Sequence, residues 1–203
     1  MNPILIENTV RAALLEDLGH GRDVTSELTV PANASATAIL RARKPGVIAG
    51  LIVGLSAFTL TDPDFDITLH AEDGDKVTAG QDIAEISGPA RPLLTAERTA
   101  LNFIQHLSGV ATLTAAYVEK IKGTKAKICD TRKTIPGLRT LQKYAVTCGG
   151  GHNHRFGLDD AILIKDNHIA LAGGVKQALD AVKNIGHTLK IEIEVDTIKQ
   201  LEA

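Results

Sequence analysis

Two neighbouring stretches gather most of the residues able to do chemistry. "DTRKTIPGLR", Asp130 to Arg139, and "GGGHNHRFGLDDAILIKDNH", Gly149 to His168, hold Arg132, Lys133, Arg139, Arg155 and Lys165, with His152, His154 and His168. Arginine offers a planar fork to carboxylate or phosphate, and lysine a compact point charge. Glycine lets backbone approach a ligand closely and present amide donors. The combination suits a small polyanion carrying phosphates and carboxylates. Downstream, "KIEIEVD" alternates Lys190, Glu192, Glu194 and Asp196 on one face with Ile191, Ile193 and Val195 on the other. Carboxylates in that place are read either as a solvated edge strand or as a site facing a metal or a cationic intermediate. Mg²⁺, bridging to phosphate oxygens, is the hard cation that prefers such ligands.

Other chemistries fit less well. His152, His154 and His168 invite zinc, but the nearby cations would repel a dication and no Cys or Glu completes a ligand set. "HNH" alone is too short to mark a nuclease. Ser108 has no matching His–Asp pattern to make it a nucleophile. Arg139 and Lys143 are read as solvated residues of a helix. Cys129 and Cys148 are read as small buried residues.

These residues need elements to position them. Leu5 to Leu18 has helical spacing, with Gly19 to end it. Residues 35–43 favour a strand, and a short helix is expected near Leu51–Leu60. "FDITLHAEDGDKVTAGQDIAEISGP" reads as strands separated by tight turns. A long helix follows, with Thr95 as its N-cap, a stripe of Phe103, Leu107, Val110, Leu113 and Tyr117, and a bend or break at Gly109. Beyond it, "AKICD", "AILIK" and "KIEIEVD" are expected strands, with helices at Leu138–Val146 and Val175–Lys183 between them. That order belongs to a parallel α/β sheet or barrel, where ligands sit at the C-terminal ends of strands. Thr131–Lys133, Lys165–His168 and Glu194–Asp196 fall at those ends. A closed barrel needs about 200 residues by itself, so three strand–helix units lead us to expect an incomplete barrel.

The bulk composition, 44% hydrophobic and 23% charged, is ordinary for a soluble globular protein. Net charge is −2 and aromatic content 3%, with no Trp, which speaks against nucleic-acid binding. Two cysteines make no disulfide framework. The N-terminus lacks a signal-peptide pattern, and "GVIAGLIVGLSAF" is too short to span a bilayer. No membrane association and a cytoplasmic location are expected.

The run "ICDTRKTIPGLRTLQKYAVTCGGGHNHRFGLDDAILIKDNHI" resembles the signature of the quinolinate phosphoribosyltransferase family. The likeness extends, in order, to "ALLEDLGHGRDVTSE", "ARKPGVIAGL", "ERTALNFIQHLSGVATLT" and "IEIEVD", nearly the whole chain. It implies an N-terminal α/β sandwich, residues 1–112, and the first part of an open α/β barrel, residues 113–203. It implies conversion of quinolinate and phosphoribosyl pyrophosphate to nicotinate mononucleotide, pyrophosphate and CO₂, in de novo NAD synthesis. By the same resemblance, Lys133 and Glu194 are the catalytic candidates. Arg98, Thr131, Arg132, Lys133, His154, Arg155, Lys165 and Glu194 bind substrate, and Mg²⁺ comes with the phosphoribosyl donor. A homodimer or higher oligomer is implied, with Arg98 reaching the partner's active site. The family continues through further barrel strands that are not seen here, which leaves the activity of this length of chain as a separate question. Rival readings are a paralogue of the same fold associated with molybdate transport, and a non-catalytic anion-binding module. "EDGDKVTAGQDIAEISG" resembles biotinyl and lipoyl carriers, but Lys76 lacks the hairpin context and the stretch is read as structural.

Overall fold

The computed structural model describes residues 3–202. The chain divides into two compact units, Met1–Asn153 and His154–Ala203. The first unit runs α1 (Pro3–Leu18), α2 (Val24–Thr29), β1 (Ser35–Arg41), β2 (Gly46–Val47), α3 (Leu51–Thr61), β3 (Asp66–Leu69), β4 (Lys76–Val77), β5 (Asp82–Pro89), α4 (Ala90–Lys120) and α5 (Arg139–Cys148). The second runs β6 (Ala161–Ile164), α6 (Asp166–Ala172), α7 (Val175–Val182), β7 (Lys190–Ile193) and α8 (Ile198–Leu201). This is the expected mixed α/β class. The sheets are an antiparallel β1-β5-β3, a β2-β4 ribbon and a parallel β6-β7 pair, and none of them closes.

The first unit is built on one apolar core. Ile83, Ala84 and Ile86 of β5 join Val53, Phe58, Ala100 and Leu107 of α3 and α4. The two helices meet at Gly54, where an added Cβ would lie 2.5 Å from Ile104 and 2.7 Å from the Ala100 carbonyl oxygen. Asp23 starts α2 by accepting from the Ser26 amide at 3.0 Å, an N-cap that satisfies a donor the first turn leaves open. Lys76 lies in the two-residue strand β4, paired with β2, as a structural reading of that stretch requires. The second unit has a small core of Ile164, Ile169, Val175 and Ala178.

Several local expectations change. The long helix begins at Ala90, five residues before Thr95. Pro92 is no obstacle, because the first turn's amides lack intrahelical partners anyway. The Thr95 hydroxyl is instead 3.0 Å from both Asp23 Oδ2 and the Arg91 carbonyl. α4 passes Gly109 without interruption. Its buried face follows Leu93, Ala96, Ala100, Phe103, Leu107, Ala111 and Thr114, while Leu113 and Tyr117 are 61% and 58% exposed. At 3.6 residues per turn, residue 113 stands about 120° from residue 107. "AKICD" forms no full strand. It makes one parallel bridge, Cys129 to His152. Cys129 is accordingly exposed, because a single bridge brings no second layer over the chain, and Cys148, at the end of α5, is half-buried against the core.

Candidate active site

The cation loop of the first unit, residues 131–138, is suspended between that bridge and α5. At its start, the Asp130 amide donates to the His152 carbonyl at 3.1 Å, and the His152 amide to the Ile128 carbonyl at 2.8 Å. Thr131 Oγ1 accepts from the Lys133 amide at 3.0 Å, which turns the backbone between them. Further on, Gln142 Oε1 accepts from the Ile135 amide at 2.9 Å, and Arg139 Nε donates to Thr134 Oγ1 at 3.2 Å. Gly137, at φ 80°, completes the turn into α5.

Beside this loop is a cavity of about 210 Å³ whose walls include Asp130, Thr131, Lys133, Gln142 and Lys143. Thr131 and Lys133 are exposed, and Arg132 is half-buried. Arg132 Nε is buried without a hydrogen-bond partner among the described residues. An unmet donor of that kind is costly unless an acceptor arrives. A roomier cavity of about 440 Å³, between α1, α3 and β3, is walled by Ile6, Ile52, Leu55 and Leu69 with Glu7. Among the described residues it has no cation in its walls.

Lys143 overturns its sequence reading. It is not solvated: its side chain is 1% exposed and ion-paired with Asp130, itself 7% exposed. Asn153, its amide nitrogen turned inward, donates to Asp130 Oδ2 at 2.6 Å and to the Lys143 carbonyl at 2.9 Å. α5 is covered on two sides, since Leu141 and Ala145 are buried as well as Lys143. The one signal in the sequence was Asp130, an acid directly before the cation run. Arg139 is also half-buried, holding Thr134.

In the second unit, β6 ends at Lys165, which caps α6; its amide donates to His168 Nδ1 at 3.0 Å. Lys165 Nζ donates to both Glu194 oxygens, at 3.2 and 2.9 Å. The Glu194 amide continues the ladder to the Ile164 carbonyl at 2.9 Å, one residue past β7. Lys165 and Glu194 therefore meet at adjacent strand ends, and the lysine's expected anion is Glu194. His154 Nε2 lies 3.1 Å from Glu192 Oε2, which also accepts from Lys190 at 2.9 Å. Lys190 first, then His154, hold the Glu192 carboxyl below its ordinary range. Glu192 was read only as one of a charged face; its role with His154 needs the fold.

Arg155 Nη1 donates to the Ala161 carbonyl at 3.1 Å, while its Nε is buried and without a partner among the described residues. Asp160 accepts from the Phe156 and Gly157 amides at 2.6 and 2.9 Å, closing the loop after Arg155. Those two amides hold its carboxyl below the ordinary range. Arg98 is exposed on α4. Among the described residues, no three His, Cys, Asp or Glu side chains are placed to hold a metal ion.

The chain matches two family models: quinolinate phosphoribosyl transferase, N-terminal domain, over residues 23–108, and its C-terminal domain over residues 110–203. It is 50% identical to the nicotinate-nucleotide pyrophosphorylase (carboxylating) of Mycobacterium leprae, across 97% of this chain and 70% of that one. A probable enzyme of the same name from Bacillus subtilis is 45% identical, across 99% and 69%. Among solved structures, NadC from Streptococcus pyogenes superposes with a TM-score of 0.94 at 44% identity, covering all of this chain and 72% of that one. The nicotinate-nucleotide pyrophosphorylase from Francisella tularensis does so at 0.94 and 42%, covering all of this chain and 71% of that one.

Proposed function

The chain belongs to the quinolinate phosphoribosyltransferase family, and from that premise we propose that it transfers phosphoribosyl from phosphoribosyl pyrophosphate to quinolinate, with decarboxylation. The products are nicotinate mononucleotide, pyrophosphate and CO₂, a pentosyl transfer in NAD biosynthesis. The observation that carries this reading is the cation loop Thr131–Lys133 beside its small polar cavity, with a buried Arg132 donor left open.

The chemistry needs positioning more than proton transfer. In the first unit, Arg132 and Lys133 bind carboxylate or phosphate oxygens, and Thr131 shapes the turn that presents them. In the second, Arg155 and Lys165 bind anions and His154 donates to them. Fixing the pyridine nitrogen against the anomeric carbon lowers the entropic barrier to attack. The nitrogen lone pair forms the new C–N bond as the C–O bond to pyrophosphate breaks. Glu194, held by Lys165, stabilises the positive charge developing on the ribose. Decarboxylation comes second. The ring nitrogen, now cationic, stabilises the electron pair left on the neighbouring carbon when its carboxylate departs as CO₂, and solvent protonates that carbon.

Magnesium belongs to the substrate in this scheme and enters on the pyrophosphate oxygens. No step of the scheme is routed through it. The reading further includes a homodimer in which Arg98, exposed on α4, reaches the partner's site. It includes a cytoplasmic setting, in keeping with two unbridged cysteines. No described helix is long and apolar enough to cross a membrane.

The test mixes quinolinate, phosphoribosyl pyrophosphate and Mg²⁺ with this chain, and with any longer reading frame that contains it. The Mycobacterium leprae relative serves as positive control, and nicotinate mononucleotide is followed by chromatography. Product is the expected result. Quinolinate binding without product from either would favour a binding module, and neither binding nor product would favour a paralogue with another substrate. CO₂ release without the phosphoribosyl donor would reverse the proposed order of steps.

A further inference from the structure

Lys143 has no direct place in that scheme, yet it is the largest side chain among those fully buried. We propose that Lys143 is a positioning residue: through Asp130 it fixes the backbone that carries Thr131, Arg132 and Lys133. The proposal rests on the anion-site reading and names what holds that site in shape.

A buried ammonium demands explanation. Lysine is almost never fully buried unless paired. A buried ion pair is also weak evidence for stability, since an apolar pair of similar volume often does as well. What such a pair supplies is geometry. Asp130 has both carboxylate oxygens occupied, Oδ1 by Lys143 and Oδ2 by Asn153 at 2.6 Å. Its amide is held by the His152 carbonyl at 3.1 Å. Side chain and backbone of the residue directly before Thr131 are therefore both fixed.

The same helix sets a second anchor. Gln142, next to Lys143 on α5, accepts from the Ile135 amide at 2.9 Å, and its Nε2 lies 2.9 Å from His106 Nε2 on α4. The cation run thus lies between two points tied to α5, one at residue 130 and one at residue 135. Arg132 and Lys133 can meet an anion in a fixed place without α5 touching the anion itself. A misplacement of about 1 Å in such a site costs on the order of 100-fold in rate.

The test uses the double substitution Lys143→Met with Asp130→Asn, which removes both charges together and leaves no lone buried ion. Lys122→Met, at an exposed lysine paired with Glu119, is the control. Two readouts are taken: steady-state kinetics with quinolinate and phosphoribosyl pyrophosphate, and amide hydrogen exchange.

In the double variant we expect faster exchange at residues 131–133, with α1 and α3 unchanged, and kcat/KM down by about 100-fold at temperatures where the variant is fully folded. The control changes neither. Unchanged exchange in the loop, or unchanged kcat/KM in a folded double variant, overturns the proposal. If the double variant does not fold, Asn153→Ala, which loosens Asp130 without removing a charge, is read the same way. Should wild type make no nicotinate mononucleotide while exchange at 131–133 still rises in the variant, the positioning role stands and the quinolinate reading falls.

Discussion

Single residues carry the sharpest expectations. If Arg132 and Lys133 bind substrate as proposed, replacing either by alanine should lower kcat/KM by about 10- to 100-fold. Melting should barely move, because Lys133 is exposed and Arg132 half-exposed. Unchanged kinetics in either variant would remove that residue from the site. Glu194→Gln separates function from stability in the same way. The pair with Lys165 is roughly half-exposed on both sides and contributes at most about 1 kcal/mol, so melting should hold while turnover falls by about 100-fold or more. Asp23 gives the pH prediction. The Ser26 hydroxyl, then the Ser26 amide, and the Thr95 hydroxyl hold its carboxyl below the ordinary value. The proton therefore prefers the unfolded chain. The stabilisation is fully present above about pH 4 and is lost as pH falls through the lower folded value. Denaturant titration should find Asp23→Ala about 1 kcal/mol less stable at pH 7, with the deficit shrinking in acid. A pH-independent deficit would contradict the cap.

At the scale of elements, the contact between α3 and α4 decides how well the first unit holds together. Gly54 lets the helices approach until Ile104 and the Ala100 carbonyl fill the space a Cβ would take. The carbonyl belongs to helix backbone and cannot yield. Gly54→Ala should therefore destabilise by about 1–3 kcal/mol through overpacking, although alanine is the better helix former. Thermal melting measures the balance, and a stabilised variant would mean the helices separate freely. By contrast Gly109, where a Cβ meets nothing within 4 Å, is a position at which alanine should stabilise α4 by up to about 1 kcal/mol. The strand ends are the elements that matter for chemistry. β6 and β7 are parallel and in register, so Lys165 and Glu194 leave them side by side.

For the molecule as a whole, the proposed dimer with Arg98 in the partner's site would predict complementation. Arg98→Ala and Lys133→Ala proteins, each nearly inactive, should regain activity when mixed under exchange. Hybrid dimers would then carry one intact site, and activity should approach about a quarter of wild type for random pairing in a two-fold dimer. No recovery with demonstrated subunit exchange would mean that Arg98 serves its own chain's site or none. The cations of loop 131–138 sit on a chain whose net charge is −2. The positive field is therefore local, and substrate affinity should weaken with added salt within a Debye length of about 8–10 Å.

Much of this was legible in the linear chain. Leu5–Leu18 and Val175–Lys183 announced their helices because one covered face imposes a period on its own residues. The run from Asp130 to His168 announced an anion site because several cations must converge to bind several negative charges. It also carries the family resemblance. What the chain could not announce is which second face becomes covered. Lys143 shares α5 with residues of both kinds, and its burial depends on Asp130, thirteen positions earlier, and on Asn153. Leu113 and Tyr117 look like part of an apolar stripe, and only the packing of α4 leaves them in solvent. Glu194 and Lys165, twenty-nine positions apart, meet because two strands pair in register. Local periodicity records a residue's nearest layer, whereas burial of a charge and pairing across strands are set by segments distant in the chain, whose contacts exist only once it has folded.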